Sequence, residues 1–304
     1  MHHFDSTKDY HHQNTSKQIE ASNDELLVDT VHYYNECHND YLFAWCNTQN
    51  LALHYGYWDQ ESPYNHHQAL LNTNQVLYDS ANIQSSDQIL DSGCGLGGSS
   101  LWLASQHQNR VTGITISDKQ VYYARKHARR RNLGHLADFQ LADYCHTPFE
   151  DKSYDVVWAL ESACYALDKK AFLQEAYRLL NNGGRLALCD AFMLQQDFDE
   201  KQWQTVQTFL QGWVVPNLSS RAQFIRLLEE VGFKNIQVTD ISRQILPSSK
   251  HMHKVAKRLQ PVQKISQWLG LRSEGQTANY KVGYAQYDFF HEPLAEYCVF
   301  TAQK

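Results

Sequence analysis

The feature that most constrains this chain is a glycine-dense turn within the segment QILDSGCGLGGSS, residues 88–100. A short apolar strand leads into the glycines, and the pattern from Gly98 onward predicts the first turn of a helix. Glycines at this spacing allow the backbone to turn sharply, and they let backbone N–H groups approach a ligand closely. The segment therefore predicts a strand–turn–helix unit that binds a ligand.

Two ligand classes are compatible with these glycines. Gly93, Gly95 and Gly98 fit the dinucleotide motif G-x-G-x-x-G, whereas the run from Asp91 fits D-x-G-x-G-x-G, the motif of enzymes that use S-adenosylmethionine (SAM). A dinucleotide enzyme needs an acidic residue about 20 positions further on, to hold the ribose hydroxyls. The second predicted strand, RVTGITIS, instead ends at Thr115 without a carboxylate. An NAD-dependent oxidoreductase is therefore the weaker alternative.

Downstream of the turn, apolar strands alternate with helices. The predicted strands cover residues 110–114, 138–143, 154–160 and 185–192. Because they are apolar and rich in β-branched residues, they predict a parallel sheet covered by helices on both faces. Ligands of such sheets bind at the carboxyl ends of the strands. The polar residues predicted at that edge are Asp91, Thr115, Asp143, Glu161 and Asp190.

Two short runs, GITISDKQ at residues 113–120 and LAD at residues 141–143, resemble the class I SAM-dependent methyltransferases. The resemblance is closest to the group of tocopherol, sterol and cyclopropane-fatty-acid enzymes, in which a Thr-x-Ser-x-x-Gln run replaces the usual acid. It covers residues 31–192 well and the remainder loosely. It implies a Rossmann-like α/β fold with a seven-stranded, mostly parallel sheet, an N-terminal helical cap and a C-terminal lid insertion. It also implies SAM as the cofactor and S-adenosylhomocysteine as its product.

The chain divides into three segments. Residues 1–24 are polar, rich in His and Gln and without periodicity, which predicts a disordered or loose arm. Residues 25–85 predict the helical cap, and residues 86–304 the SAM-binding domain. Two insertions, around 195–217 and 241–293, are interpreted as a lid over the substrate. A second packing layer or a homodimer interface is their alternative role.

The resemblance also assigns contacts to the adenosine end of SAM. Thr115 and Gln120 are candidates for the ribose hydroxyls, where neutral hydrogen bonds replace a carboxylate. Asp143 is the candidate for the adenine N6 amine, with Ala142 and Tyr144 beside the ring. A turn cap is the alternative role for Asp143, because Asp commonly hydrogen-bonds nearby backbone.

At the methionine end, the glycine turn is expected under the cofactor, and Asp91 is expected to accept from the α-ammonium group or an adjacent water. The resemblance places Tyr34 and Tyr57 at the sulfonium, a permanent cation for which aromatic faces are suitable partners. Packing in an ordinary apolar helix stripe is the alternative for such tyrosines. The remaining contacts predicted for the cofactor are Gly93, Gly95, Gly97 and Leu160.

The candidate catalytic residues are Glu161, His54 and Tyr165. The segment LESACYA, residues 160–166, resembles the Glu-x-x-Cys-His-Ala segment of sterol C-methyltransferases, with Tyr165 in place of His. Glu161 can act as a base or stabilise positive charge on a substrate carbon; a hydrogen bond to nearby backbone or to the cap is its alternative role. His54 is the only one of the three with an ordinary pKa near neutrality. Since methyl transfer is an in-line displacement that depends mainly on alignment, substitution of any one base is expected to slow transfer, not abolish it.

Aromatic residues concentrated in the two insertions predict the acceptor. They suit a small, largely apolar molecule such as a prenyl chain, a sterol-like skeleton or a phenol, methylated at carbon or oxygen. The alternative from another functional class is a non-catalytic SAM-fold binding or scaffold protein.

Composition and charge limit the possible binding partners and cellular location of the protein. A net charge of −6 argues against a dedicated nucleic-acid binder. The sequence contains no run of eighteen apolar residues, so no transmembrane segment is predicted. The N-terminus lacks an apolar signal core, which predicts a cytoplasmic protein. The seven cysteines lack a pairing pattern, as expected in a reducing compartment, and the sixteen histidines form no metal-binding framework, so no metal site is expected.

Overall fold

The computed structural model describes residues 23–59, 65–194, 197–292 and 294–304. Most of the predicted N-terminal arm therefore lies outside the described residues. The cap consists of helices α1 (Asn23–Ala44) and α2 (His66–Ser80). The next elements are β1 (Gln88–Ser92), α3 (Gly98–Trp102), β2 (Arg110–Thr115), α4 (Asp118–Arg130), β3 (Ala137–Leu141), β4 (Tyr154–Leu160), α5 (Lys169–Leu179) and β5 (Leu180–Met193). The C-terminal elements are α6 (Glu200–Gly212), α7 (Arg221–Val231), β6 (Lys234–Asp240), α8 (Ser242–Trp268), α9 (Glu274–His291) and β7 (Ala295–Gln303).

The strands form one seven-stranded sheet in the order β3-β2-β1-β4-β5-β7-β6. Strands β1 to β5 pair in parallel, whereas β7 is antiparallel to both β5 and β6. The predicted Rossmann-like sheet, mostly parallel with an antiparallel pair at its end, is confirmed. The direction of strand succession reverses between β1 and β4, and the carboxyl ends of these two strands therefore form the crevice where open α/β sheets bind ligands.

Helix boundaries follow local signals in the sequence. The Ser117 side chain accepts from the Gln120 N–H at 3.2 Å and starts α4. Asp168 caps α5 in the same way, and Gly232, with a φ of 111°, ends α7 in the left-handed conformation. These three helix ends are therefore explained by the residues at the ends themselves.

The helical turns that follow the glycine turn are continuous, because α3 ends at Trp102 and leads directly into a π-helical turn, Leu103–His107. In that turn the His107 ring stacks on Tyr78 of the cap at 3.7 Å between centroids. Strand β3 ends at Leu141 instead of continuing to residue 143, so Asp143 lies in the loop that follows the strand.

The insertion at residues 241–293 forms α8 and α9, which pack against each other. Helix α9 also packs against α6, and the approach is close because a Cβ added at Gly212 would lie 2.7 Å from Val282 Cβ. None of the helices within the described ranges is long and apolar enough to cross a membrane.

Candidate active site

The carboxyl edge of the sheet opens into a first cavity of about 1030 Å³, bounded on one side by the glycine turn. The ends of β1, β2 and β4 each contribute a polar residue: Asp91, Thr115 and Glu161. The cap closes the opposite side. The cap residues that line the cavity are Leu27, Thr30, Val31, Tyr34, Leu51, Ala52, Leu53 and His54.

The glycines of the turn serve different purposes. Gly93 has a φ of 92°, and a Cβ there would collide with Ser162 at the end of β4, so both backbone and space require glycine. Gly93 and Gly95 line the first cavity, as predicted. Gly97 is not in the cavity wall: its φ is 84°, and a Cβ there would lie 2.8 Å from the Phe139 ring, so both the backbone and packing on β3 require glycine. A cofactor contact at Gly97 stays a prediction.

Asp91 ends β1 within the wall of the first cavity. Its Oδ2 accepts a hydrogen bond from the Ser100 hydroxyl at 2.5 Å, which ties the carboxylate to the first helix after the turn. Burial raises the pKa of Asp91 to about 6, so the group is mainly ionised at neutral pH. A buried carboxylate in this position suits an ammonium group.

Thr115 and Gln120 lie together, as the Thr-x-Ser-x-x-Gln resemblance implies. The Thr115 hydroxyl donates to Gln120 Oε1 at 2.5 Å, and both buried side chains line the first cavity. Within the described part of the chain, no hydrogen bond occupies the Gln120 amide nitrogen, so its N–H groups remain for a ligand. A neutral amide donor beside a hydroxyl oxygen that can still accept, both at the end of β2, matches a ribose diol.

The loop after β3 combines a turn role with a cavity role. Asp143 Oδ1 accepts from the Cys145 N–H at 2.9 Å, which is the turn cap that sequence analysis left open. Asp143 and Tyr144 nevertheless line the first cavity. The Tyr144 hydroxyl donates to the Ser162 carbonyl at 2.9 Å, so this ring is fixed. Ala142 does not line the first cavity; it lies in a shallower neighbouring groove with residues of α1.

The structure brings only one of the two predicted sulfonium tyrosines to the site. The Tyr34 hydroxyl donates to the Tyr165 hydroxyl at 2.9 Å, and both rings line the first cavity. Tyr57 is not in its wall, because its segment runs along α2 and its N–H bonds the Thr73 hydroxyl at 2.8 Å. Its neighbour Tyr55, which sequence analysis missed, faces a second cavity instead.

This second cavity, of about 580 Å³, lies beside the first. Five residues line both cavities and form their common boundary: Tyr34, Leu53, His54, Glu161 and Tyr165. The remaining lining residues are mostly apolar or aromatic: Tyr41, Trp45, Tyr55, Cys164, Asp190, Ala191, Phe209, Trp213, Val215, Leu218, Met252 and Tyr297. Residues from the cap, the sheet edge and both insertions thus meet around one small volume.

Glu161 lies at the boundary in a strained backbone conformation, with a φ of 48°. Its Oε1 accepts from the Tyr55 N–H at 2.7 Å and also from the Tyr297 hydroxyl. Among the described residues, nothing hydrogen-bonds Oε2. Burial raises the pKa of Glu161 to about 8, although its two hydrogen-bond donors favour the carboxylate. The hydrogen bond from the Tyr55 N–H is the contact with the cap named above as an alternative role for Glu161, and it is present. Oε2 nevertheless remains free and faces the cavities.

His54 differs from its expected behaviour. Its Nδ1 lies 2.9 Å from the Tyr55 carbonyl oxygen, which can only accept, so Nδ1 carries the proton. Its Nε2 is buried and has no hydrogen-bond partner within the described residues. Burial lowers the pKa of His54 to about 4, so the imidazole is neutral across the physiological range. The group that titrates nearest neutrality at the boundary is Glu161, not His54.

Tyr165 is the weakest of the three candidate bases. Burial raises the pKa of its hydroxyl well above the usual value, because the phenolate has neither solvent nor a cation to stabilise it. The hydroxyl accepts from Tyr34 and is therefore better suited to fix that ring than to remove a proton.

The aromatic residues of the insertions separate into two groups. Phe209 and Trp213 line the second cavity, and Phe289 and Phe290 pack in the core behind them. Trp268 is 84% exposed at the end of α8 and does not reach either cavity. Asp190, which was predicted at the carboxyl edge of the sheet, lines the second cavity. Tyr297 was missed as a wall residue, because the contact of β7 with Glu161 after β4 is set by the sheet and by no local pattern.

Comparison with known proteins gives a consistent result. A profile of the family described as a methyltransferase domain matches residues 90–188. The 27-O-demethylrifamycin SV methyltransferase of Amycolatopsis mediterranei (strain S699) is 31% identical, over 83% of this chain and 89% of that protein. The chloroplastic tocopherol O-methyltransferase of Arabidopsis thaliana is 27% identical, over 75% of this chain and 69% of that protein. The crystal structure of geranyl diphosphate C-methyltransferase from Streptomyces coelicolor A3(2), with bound S-adenosylhomocysteine, has a TM-score of 0.70 at 18% identity, over 91% of this chain and 98% of that chain.

The fold, the glycine turn and these relatives define an α/β enzyme that uses SAM. The chain belongs to the class I SAM-dependent methyltransferases, and SAM is its cofactor. The residues of the first cavity fit this cofactor: Gly93 and Gly95 of the turn line the cavity, Asp91 offers a buried carboxylate, and Tyr34 offers an aromatic face at the boundary with the second cavity.

Proposed function

We propose that this enzyme transfers the methyl group of SAM to a small, largely apolar acceptor held in the second cavity. The acceptor class is a prenyl or terpenoid chain, a sterol-like skeleton or a phenolic natural product, methylated at carbon or oxygen. The observation that carries the proposal is the common boundary of the two cavities. A donor in one and an acceptor in the other would meet at Tyr34, His54 and Glu161.

The wall of the second cavity supports an apolar acceptor. Trp45, Tyr55, Phe209 and Trp213 present rings, and most polar atoms of the wall are already paired inside the protein. The Tyr55 hydroxyl, for example, donates to Gln286 at 2.9 Å. A polar acceptor would lose its hydration without gaining equivalent partners, whereas an apolar one loses nothing.

The chain's own residues contribute alignment and a proton acceptor. When bound, SAM supplies an electrophilic methyl group on a sulfonium. Holding the acceptor in line across the boundary provides roughly 7–11 kcal/mol of the lowering of the barrier. Glu161 Oε2 can take the proton of an acceptor hydroxyl or methylated carbon, which contributes roughly 10²–10⁴-fold. The neutral His54 Nε2 can accept a hydrogen bond from the same hydroxyl and orient it.

Known relatives support the acceptor class without naming the acceptor. They include methyltransferases named for a rifamycin and for tocopherol. Both names refer to small organic molecules, and the aromatic second cavity is consistent with that class.

The experiment that tests this function compares acceptor classes. Purified protein is incubated with SAM and either an apolar extract, containing prenyl alcohols, sterols and phenols, or a set of water-soluble amines. Mass spectrometry is expected to find products one methyl heavier only in the apolar set, with an equal amount of S-adenosylhomocysteine. The Glu161→Gln variant is the control, and it should bind S-adenosylhomocysteine but form product more slowly.

Methylation of amines alone would contradict the proposed acceptor. Binding of S-adenosylhomocysteine without transfer to any acceptor would favour the non-catalytic binding protein that sequence analysis kept as an alternative.

A further inference from the structure

The exposed face of α8 carries an unusual charge. Residues 242–273 contain seven Lys and Arg and no Asp or Glu, although the whole chain has a net charge of −6. Arg272 is paired with Asp40 at 2.6 Å. The other six are exposed: Arg243, Lys250, Lys254, Lys257, Arg258 and Lys264. None of these six takes part in a salt bridge between described residues.

The end of the same helix exposes large apolar side chains. Residues 262–271, here called the distal tip, contain most of the large hydrophobic residues exposed in the described ranges. Val262, Ile265 and Leu269 follow one another at helical spacing and are each more than half exposed. Trp268 is 84% exposed and Leu271 is 72% exposed. Exposed apolar groups of this size, next to one another, mark an interaction surface.

The way α8 is held explains why the tip projects. In its first half, the Ser248 hydroxyl accepts from the Gly56 N–H at 2.9 Å and from Trp58 Nε1 at 3.1 Å, which anchors the helix to the cap. Beyond Ala256, no residue of α8 is buried. Pro261 lies just before the tip and removes one helical hydrogen bond. The distal tip therefore contributes nothing to the core, and core packing does not explain why its residues are apolar.

We infer that this face of α8 binds the surface of an anionic phospholipid bilayer, with the cations against lipid head groups and the distal tip inserted among them. Exposed cations complement a negatively charged surface, and Trp and Leu at a helix end are the side chains that enter the interfacial layer. A nucleic acid would pair with the cations but would leave the apolar tip in water. The inference concerns an interaction surface and goes beyond the proposed reaction, because neither the six cations nor the distal tip lines either cavity.

The binding is expected to be peripheral and dependent on charge. The acidic residues of the adjacent α9 are Glu274 and Asp288, so residues 242–291 keep a clear excess of positive charge. Each basic residue near an anionic leaflet strengthens binding roughly fivefold, and the effect is screened by salt. Removal of two of the six cations should therefore weaken binding roughly thirtyfold.

Vesicle flotation with the full chain tests the inference. The protein is mixed with vesicles of phosphatidylcholine alone or of phosphatidylcholine with phosphatidylglycerol. Three variants probe the surface: Lys254→Gln with Lys257→Gln, Trp268→Ser with Leu271→Ser, and Trp268→Phe for fluorescence. Matched controls lie on α4, where Arg129→Gln with Arg130→Gln removes two exposed charges and Tyr122→Ser removes an exposed ring.

We expect flotation only with phosphatidylglycerol, loss of binding at high salt, and a blue shift of Trp fluorescence that Trp268→Phe removes. Both surface variants should bind weakly, both controls should bind normally, and the affinity for S-adenosylhomocysteine should stay unchanged in all of them. Absence of flotation, equal flotation with both lipids, or equal loss in the α4 controls would overturn the inference. So would a dimer in sedimentation velocity that Trp268→Ser with Leu271→Ser converts to monomer, since the tip would then join two copies of the chain.

Discussion

The close approach of the cap to Gly98 gives a sharp test of how the first cavity is built. Gly98 begins α3, and a Cβ added there would lie 2.7 Å from the carbonyl oxygens of Asn50 and Leu51. That is about 0.6 Å inside an ordinary C···O contact. The backbone at Gly98 is not left-handed, so the Gly98→Ala variant is strained only by this collision.

Two opposing effects determine the change in the free energy of unfolding of the Gly98→Ala variant. Alanine lowers the entropy of the unfolded chain, which stabilises by about 0.4–1 kcal/mol at a compatible site. Overpacking against rigid backbone costs roughly 1–3 kcal/mol. Gly134→Ala is the matched control, because its Cβ would have nothing within 4 Å and should gain the entropic term alone. The difference between the two variants isolates the collision, about 1–3 kcal/mol in the free energy of unfolding.

Two assays follow this difference. Urea unfolding is expected to show a lower midpoint for Gly98→Ala than for Gly134→Ala. Calorimetry is expected to show weaker S-adenosylhomocysteine binding, by roughly fivefold or more, since relief of the collision moves Leu51 and the cap residues that follow it in the cavity wall. If the two variants are equally stable and bind equally well, the cap does not close on the turn as described.

Three further predictions concern the proposed roles of single side chains. Gln120→Leu removes the amide beside Thr115 and should weaken S-adenosylhomocysteine binding roughly tenfold in calorimetry. The control Gln106→Leu, at an exposed residue, should leave the affinity unchanged. Unchanged affinity in Gln120→Leu would show that Gln120 does not contact the cofactor. Tyr34→Phe should weaken binding of SAM more than that of S-adenosylhomocysteine, since only SAM is a cation, and equal losses would show that the hydroxyl does not sense the sulfonium. Because burial raises the pKa of Glu161 to about 8, the contribution of this group to the free energy of unfolding is fully present below about pH 4 and is lost as the pH rises through 8. Glu161→Gln should therefore flatten the pH dependence of unfolding between these limits and remove an inflection near pH 8 from the rate; a variant that titrates like the parent would refute the pKa.

Local sequence patterns predicted the parts of the molecule that local chemistry determines. The glycine turn and the pairing of Thr115 with Gln120 both depend on residues close together in the chain. The order of apolar strands and helices was also sufficient to predict the parallel sheet, since few topologies satisfy it.

Side-chain placement across the cap could not be predicted in the same way. Tyr57 turns away from the first cavity because its N–H is held by Thr73 of α2, a contact 16 residues away in sequence. The pairing of Glu161 with Tyr297 joins residues 136 positions apart and exists only once β7 lies in the sheet. The low pKa of His54 likewise follows from burial, which no short motif encodes.

The most direct test of the site is the structure of the protein with bound S-adenosylhomocysteine. The account predicts the adenosine beside Thr115, Gln120 and Asp143, and the sulfur at the boundary of the two cavities, facing Tyr34 and Glu161. A sulfur atom directed away from that boundary, toward the groove that contains Ala142, would contradict the arrangement of donor and acceptor on which the proposed function depends.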